Sequence, residues 1–211
     1  MTAQATPRGD PRASSGPFHD LMKEIRLCKE AGRCPDLTSR SYYFEPNPAT
    51  VLEWQAAGVY SRPVNPHVVF VCESPGPRFA SENEAAPLRC WAEGESWRDR
   101  RFLGARKKWG LADCYITNTV KCGGVRRRHT EHELRYCRRF LVRELELLQP
   151  LVAVAVGGSA YRTLRRDVFH RLDSPPIIFE VTHYSARRDV PLRWECEFAA
   201  LKRLLARLQP R

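Results

Sequence analysis

The sequence predicts an α/β fold in three layers, with helices on both faces of a central four-stranded, mainly parallel sheet. Four short apolar runs predict the strands: HVVFVC at 67–72, CYITNTV at 114–120, LVAVAV at 151–156 and IIFEV at 177–181. Each run is rich in β-branched residues and bounded by turn residues, and helical patterns separate the runs. Continuous apolar runs are typical of parallel strands that are buried on both faces.

Three helical patterns surround these strands, and a fourth precedes them. Residues 18–29 (FHDLMKEIRLCK) repeat apolar side chains at helical spacing. Residues 130–148 form the strongest pattern, with Thr130 and Glu133 as a capping box. A further helix is predicted after Gly158 with Ser159 as its N-cap, and the last one over residues 195–208. The predicted inner faces of the two longest helices are Leu134, Cys137, Leu141, Leu145 and Leu148, and Phe198, Leu201, Leu204, Leu205 and Leu208.

The length and composition favour one folded domain. The 211 residues, 43% hydrophobic and 28% charged, can form one core and exclude collagen-like or wholly disordered classes. We expect residues 1–17 to be a disordered leader and residues 18–211 a single domain. No apolar run approaches the roughly 18–20 residues of a membrane span, and no secretory signal is recognisable. We therefore expect a cytoplasmic protein that is not secreted, and we expect this single domain to be a monomer.

The charge of the chain points to a polyanionic partner. The 35 Lys and Arg residues outnumber the 24 Asp and Glu residues, for a net charge of +11. An excess of this size favours nucleic acid as the partner, so we expect the protein to be associated with the nucleoid.

The residues that follow the predicted strands carry most of the chemistry. In an open parallel sheet, ligands bind beyond the carboxyl ends of the strands. Three of the four strand exits bear reactive or polar side chains, whereas the third exit, Gly157-Gly158, bears none. The three exits contain CESPG at 72–76, Asn118 with Lys121 and Cys122, and THYS at 182–185.

The eight cysteines are more than a core of this size needs. A reducing compartment argues against four disulfides, so metal or cluster ligation is the better interpretation. Thiolates suit both a 4Fe-4S cluster and tetrahedral zinc, and the ligand chemistry alone leaves both open.

Four segments, taken in order, resemble the motifs of the iron–sulfur-containing family four of the uracil-DNA glycosylase superfamily. They are VFVCESPG at 69–76, YITNTVKC at 115–122, FLVRELELLQPLVAVAVGGSA at 140–160 and THYSARR at 182–188. The resemblance spans about residues 20–208 and implies the superfamily's fold. It also implies a monofunctional glycosylase that everts uracil from DNA, hydrolyses its N-glycosidic bond and initiates base-excision repair.

The resemblance implies roles for three residues at the strand exits. Glu73 would orient or deprotonate the attacking water and stabilise the cationic sugar. His183 would donate a hydrogen bond to O2 of the departing base. The amide of Asn118 offers one donor and one acceptor, which match N3–H and O4 of uracil. Trp91 and Phe79 are candidates for the ring that stacks on the base.

Phosphate contacts are predicted on two sides of this pocket. The first group is Pro75, Gly76, Ser185, Arg187 and Arg188. The second is the loop CGGVRRRHT at 122–130, which contains Arg126, Arg127, Arg128 and His129. This loop also resembles that of the UdgX-like branch, in which a histidine captures the deoxyribose covalently, and that role would fall to His129.

The same resemblance implies that Cys28, Cys34, Cys122 and Cys137 hold a 4Fe-4S cluster, and it favours iron–sulfur over zinc. The first pair is Cys-x5-Cys, where the family has Cys-x2-Cys. The other cysteines lie in or beside apolar segments, and we expect them to pack in the core: Cys72, Cys90, Cys114 and Cys196.

Two alternatives remain open. Cys72 and Ser74 stand where the family has Gly and Ala or Gly, which leaves room for another deaminated base, hypoxanthine or xanthine. A non-catalytic iron–sulfur protein that binds nucleic acid is the alternative from a different functional class.

Overall fold

The fold is built on a four-stranded parallel sheet. The computed structural model of the chain describes residues 21, 24, 25, 67–73, 97–112, 114–121, 131–186 and 189–208. The strands are β1 (Val68–Cys72), β2 (Tyr115–Asn118), β3 (Val152–Val156) and β4 (Ile177–Val181). They lie in the order β2-β1-β3-β4, and every neighbouring pair is parallel. The predicted class and strands are confirmed, and all four carboxyl ends meet at one edge.

Helices cover both faces of the sheet. They are α1 (Trp97–Lys108), α2 (Glu131–Leu148), α3 (Gly158–Thr163) and α4 (Val190–Leu208). α3 continues as a π-helical turn over Leu164–Val168 and a 3-10 turn over Phe169–Arg171. Phe102 of α1 and Phe198 of α4 pack on one face, and Leu141 of α2 and Ala160 of α3 pack on the other. The fold therefore has the three predicted layers.

The alternation of side chains along β1 explains why its sequence is apolar throughout. Val68, Phe70 and Cys72 face the layer of α1 and α4, whereas Val69 and Val71 face α2 and α3. Every residue of β1 is buried, because the strand lies inside the sheet and between two helical layers.

Three expectations about the last third of the chain were wrong. α3 begins at Gly158, so Ser159 lies in its first turn and does not cap it. α4 begins at Val190 rather than at residue 195, and its buried stripe includes Val190 and Trp194. Cys196 is exposed, because it lies on the side of α4 away from that stripe.

α1 was not predicted from the sequence, because one of the residues that it buries in the core is charged. Phe102 is fully buried, and Arg106 is only 1% exposed. The Arg106 guanidinium lies 5.0 Å from the centre of the Phe70 ring and donates hydrogen bonds to the carbonyls of Ala112 and Cys114. A buried arginine interrupts the apolar repeat by which an amphipathic helix is recognised.

The described part of the N-terminal helix agrees with the predicted inner face. Leu21 and Ile25 are helical and buried, and they pack against Phe140 of α2. Glu24 forms an ion pair with Arg143. The predicted leader, residues 1–17, lies outside the described residues, and the domain boundary stays a prediction. No helix in the described ranges has the length and apolar character of a membrane span.

Candidate active site

The strand order brings the three reactive exits into one row. Asn118 ends β2, Glu73 follows β1, Gly157 follows β3 and His183 lies two residues beyond β4. Neighbouring strands are about 4.8 Å apart, so the strands that lead to Glu73 and His183 are about 10 Å apart. Side chains of ordinary length can meet across that gap.

Glu73 is held through its backbone and through its side chain. Its carbonyl accepts hydrogen bonds from Thr119 Oγ at 2.7 Å and from the amide of Val120 at 2.9 Å. Its carboxylate Oε1 accepts a hydrogen bond from Ser159 Oγ at 3.0 Å. The exit of β2 therefore holds the backbone of Glu73, and the exit of β3 holds its carboxylate.

The side chain of Asn118 is buried, and its amide makes no hydrogen bond to the described part of the chain. Asn118 is 1% exposed, and neither Oδ1 nor Nδ2 has a partner among the described residues. Leaving a buried amide unsatisfied costs about 1–3 kcal/mol, and most such groups in proteins are paired. An amide kept in this state at a strand exit is suited to a ligand that supplies the missing donor and acceptor.

The hydrogen bonds of His183 assign its neutral tautomer. The backbone amide of Ser185 donates to His183 Nδ1 at 3.1 Å, and the Ser185 hydroxyl lies 2.7 Å from the same atom. Because a backbone N–H can only donate, Nδ1 acts as the acceptor and the ring proton is on Nε2. His183 can therefore present a neutral donor to a substrate.

The imidazole of His183 is also fixed by packing. Its ring stacks on Tyr184 with centroids 4.2 Å apart, and Tyr184 packs on the core residue Phe102. On another side lies Gly157, whose φ is 92°; a Cβ at this residue would come within 2.8 Å of His183 Cβ. Gly157 therefore permits a close approach that no other residue allows.

A buried polar cluster lies beneath Asn118. Lys121 and Glu144 form an ion pair in which both side chains are at most 1% exposed. Lys121 Nζ also donates to the carbonyl of Asn118 at 2.7 Å, and Thr117 Oγ donates to Glu144 at 2.8 Å. Burial lowers the pKa of Lys121, and the charge of Glu144 opposes that shift. The cluster ties the end of β2 to α2.

Cys137 is the one predicted cluster ligand that lies among the described residues. Cys137 is 1% exposed and packs against Val120, which precedes Cys122 by two residues. This contact joins the exit of β2 to α2. Cys28, Cys34 and Cys122 lie outside the described residues, and within those residues no three His, Cys, Asp or Glu side chains form a metal-binding group.

The predicted site residues thus fall into two groups. Glu73, Asn118, His183 and Ser185 lie at one edge of the sheet. The other predicted contacts lie outside the described residues: Phe79, Trp91, Pro75, Gly76, Arg126, Arg127, Arg128, His129, Arg187 and Arg188.

Two residues at the third exit were missed by the sequence interpretation. That exit looked chemically bare, but Gly157 packs against His183 and Ser159 bonds to Glu73. The Gly-Gly-Ser sequence directly after a strand was the available signal, because a glycine at a strand exit often marks a close approach.

Comparison with known families assigns the chain to a superfamily. A family model of the uracil DNA glycosylase superfamily matches residues 58–209. The chain belongs to the uracil DNA glycosylase superfamily. Membership supports a DNA glycosylase that hydrolyses N-glycosyl bonds and takes part in DNA repair. No curated protein matches the chain.

The matched range contains β1 to β4 and all of the exits described above. The row formed by Asn118, Glu73 and His183 therefore lies within the range that the family model matches.

Proposed function

We propose that this DNA glycosylase excises uracil, and that Asn118, Glu73 and His183 form its active site. The observation that carries the proposal is the buried amide of Asn118, which has no partner among the described residues. Uracil would supply an N3–H donor to Oδ1 and the O4 acceptor to Nδ2. Binding of the everted base would thus satisfy both atoms at once.

His183 supplies the donor for the leaving group. When the N-glycosidic bond breaks, its electron pair passes to the base, and negative charge accumulates on O2 of uracil. The Nε2–H of a neutral imidazole can donate to that oxygen, and the bond to Ser185 keeps the proton on Nε2. A donor fixed before the reaction stabilises the transition state without reorganisation.

Glu73 acts on the sugar. As the base departs, C1′ acquires positive charge, and water then attacks this carbon. The Glu73 carboxylate stabilises the cationic sugar and accepts a hydrogen bond from the attacking water. Its bond from Ser159 leaves Oε2 for these tasks while fixing the direction of the carboxylate.

The choice of base has a chemical basis that a single assay can test. Hypoxanthine and xanthine carry a carbonyl beside an N–H, as uracil does, so the amide of Asn118 can pair with any of them. Oligonucleotides that contain one uracil, hypoxanthine, xanthine or mismatched thymine are incubated with the protein and then cleaved with alkali at abasic sites.

We expect cleavage at uracil to be the fastest. Faster cleavage at hypoxanthine or xanthine would show that this base, and not uracil, is the substrate. The assignment of the active-site residues would then still hold. Cleavage at none of the four would contradict the enzymatic proposal and leave a nucleic-acid-binding protein.

The family-four resemblance adds a cofactor to the proposal. Cys137, with Cys28, Cys34 and Cys122, would hold a 4Fe-4S cluster that joins the N-terminal segment, the exit of β2 and α2. Such a cluster would stabilise the fold by linking these segments. The support from the described residues is the buried thiol of Cys137 beside Val120.

The loop at 122–130 resembles that of the UdgX-like branch. On this basis we propose, as an alternative, that His129 forms a covalent adduct with deoxyribose. Uracil-containing single-stranded DNA would then give a denaturation-resistant band that His129→Ala abolishes. Excision without such a band would contradict covalent capture while keeping glycosylase activity.

A further inference from the structure

The residue before His183 is held by α4 through all of its hydrogen-bonding groups. The carboxylate of Glu197 accepts a hydrogen bond from the Thr182 amide at 2.8 Å and another from Thr182 Oγ at 2.6 Å. The indole N–H of Trp194 donates to the Thr182 carbonyl at 2.8 Å. Amide, hydroxyl and carbonyl of Thr182 are thus bound to one helix.

Trp194 and Glu197 lie in a part of α4 that packs against the core. Trp194 is 3% exposed, and its ring lies 5.7 Å from that of Phe102 and 6.3 Å from that of Phe198. Glu197 precedes Phe198, which is fully buried against the sheet. The two residues that hold Thr182 therefore belong to the part of α4 that is anchored in the core.

β4 is the least buried of the four strands. β4 is an edge strand with β3 as its neighbour on one side, and most of its side chains are exposed or half-buried. Segments with few buried contacts open locally at low free-energy cost. The chain that leaves β4 carries His183, whose ring must lie against Gly157 in one orientation.

We propose that Glu197 is a positioning residue for His183. It fixes the backbone of Thr182, and thereby the direction in which the imidazole presents Nε2. Trp194 fixes the carbonyl of Thr182 and so acts together with Glu197. The activity part of this inference rests on the proposed function, whereas the effect on the His183 loop does not.

The kinetic test compares two carboxylates of the same helix. A misplacement of about 1 Å at a reacting group can cost about 100-fold in rate. We expect Glu197→Ala to lower the single-turnover rate of uracil excision by about 10- to 100-fold, with DNA affinity changed less than twofold. Glu195→Ala is the matched control, because Glu195 is exposed and pairs with Lys108.

Two conservative variants separate positioning from a loss of stability. Glu197→Gln can still accept from the Thr182 amide and donate to its hydroxyl, so it should recover most of the rate. Thr182→Val removes only the hydroxyl bond and should give an intermediate rate. Equal rates for Glu197→Ala and Glu195→Ala would overturn the inference, as would a loss in Glu197→Gln as large as that in Glu197→Ala.

A measurement without substrate keeps the inference separate from the proposed function. We expect Glu197→Ala to accelerate hydrogen exchange of the Thr182 amide and to change the ¹⁵N shifts of the His183 ring, with the Val154 amide of β3 unaffected. If the wild-type protein excised no base, these signals would still test the anchor. Unchanged exchange and unchanged ring shifts would overturn it.

Discussion

The Ser159 hydroxyl donates a hydrogen bond of 3.0 Å to the Glu73 carboxylate and so joins the exits of β3 and β1. Ser159 lies in the first turn of α3, directly after the strand exit that packs against His183. The turn at 157–159 therefore contacts both residues to which we assign the chemistry.

Replacing Ser159 tests whether the direction of the Glu73 carboxylate matters. Without this bond the Glu73 carboxylate can turn away from the sugar. A misplacement of about 1 Å at a reacting group can cost about 100-fold in rate, so Ser159→Ala should lower the single-turnover rate of excision by about tenfold or more. Ser159→Thr, which keeps the hydroxyl, should retain most of the rate. The control is Ser174→Ala in an exposed loop. Equal rates for Ser159→Ala and Ser174→Ala would show that this bond is dispensable.

Gly157 should be intolerant of any side chain. In Gly157→Ala the new Cβ would meet His183 Cβ at 2.8 Å, and the backbone would be strained at a φ of 92°. A strained residue of this kind costs about 1–3 kcal/mol, and the imidazole must shift to make room. We expect a lower melting temperature and a loss of excision.

Gly104→Ala provides the matched control for Gly157→Ala. No atom lies within 4 Å of a Cβ built at Gly104, which is inside α1. An alanine there should raise stability by about 0.5–1 kcal/mol and leave excision unchanged. If Gly157→Ala behaved like Gly104→Ala in both thermal unfolding and excision, the close packing of His183 would not be needed.

Replacing Asn118 should affect stability and excision differently. Because its buried amide has no partner among the described residues, Asn118→Leu removes an unsatisfied group of similar size. We expect the free energy of unfolding to stay the same or rise, and excision to fall by at least about 100-fold. Urea denaturation and single-turnover kinetics measure the two effects. A large loss of stability, or retained excision, would contradict the assignment of Asn118 to the base.

The cluster can be tested by metal content. The wild-type protein, purified without oxygen, should be brown and contain iron and acid-labile sulfide in equal amounts. Cys137→Ala should lose both and unfold more readily, because Cys137 is a proposed ligand. Cys196→Ala is the control, since Cys196 is exposed on α4. A colourless protein that contains zinc would show that the thiolates hold a different metal.

The sequence predicted the sheet well, because buried parallel strands leave a strong local signal. β1 and β3 are buried along their whole length, and both were recognised as apolar runs. It did not predict α1, whose core contacts include the charged Arg106. The predicted start of α4 was also wrong, because the helix begins at Val190, ahead of the regular apolar repeat.

The sequence predicted only those residues of the candidate site whose own side chains suggest a chemical role. Asn118, Glu73 and His183 were recognisable from their motifs and their place after strands. Ser159 and Gly157 were not, because their roles depend on contacts between strand exits that are distant in sequence. The hydrogen bonds between Thr182 and Glu197 are likewise tertiary contacts that no local sequence pattern indicates.

The most direct test of the account is single-turnover excision of uracil by Glu73→Gln and His183→Ala, measured beside their affinity for the same DNA. Glu146→Gln and His170→Ala, both at exposed residues, are the controls. We predict that the two site variants lose at least about 100-fold in rate and bind DNA as the wild type does, while both controls stay active. Wild-type rates in Glu73→Gln and His183→Ala would contradict the assignment of the active site to these strand exits.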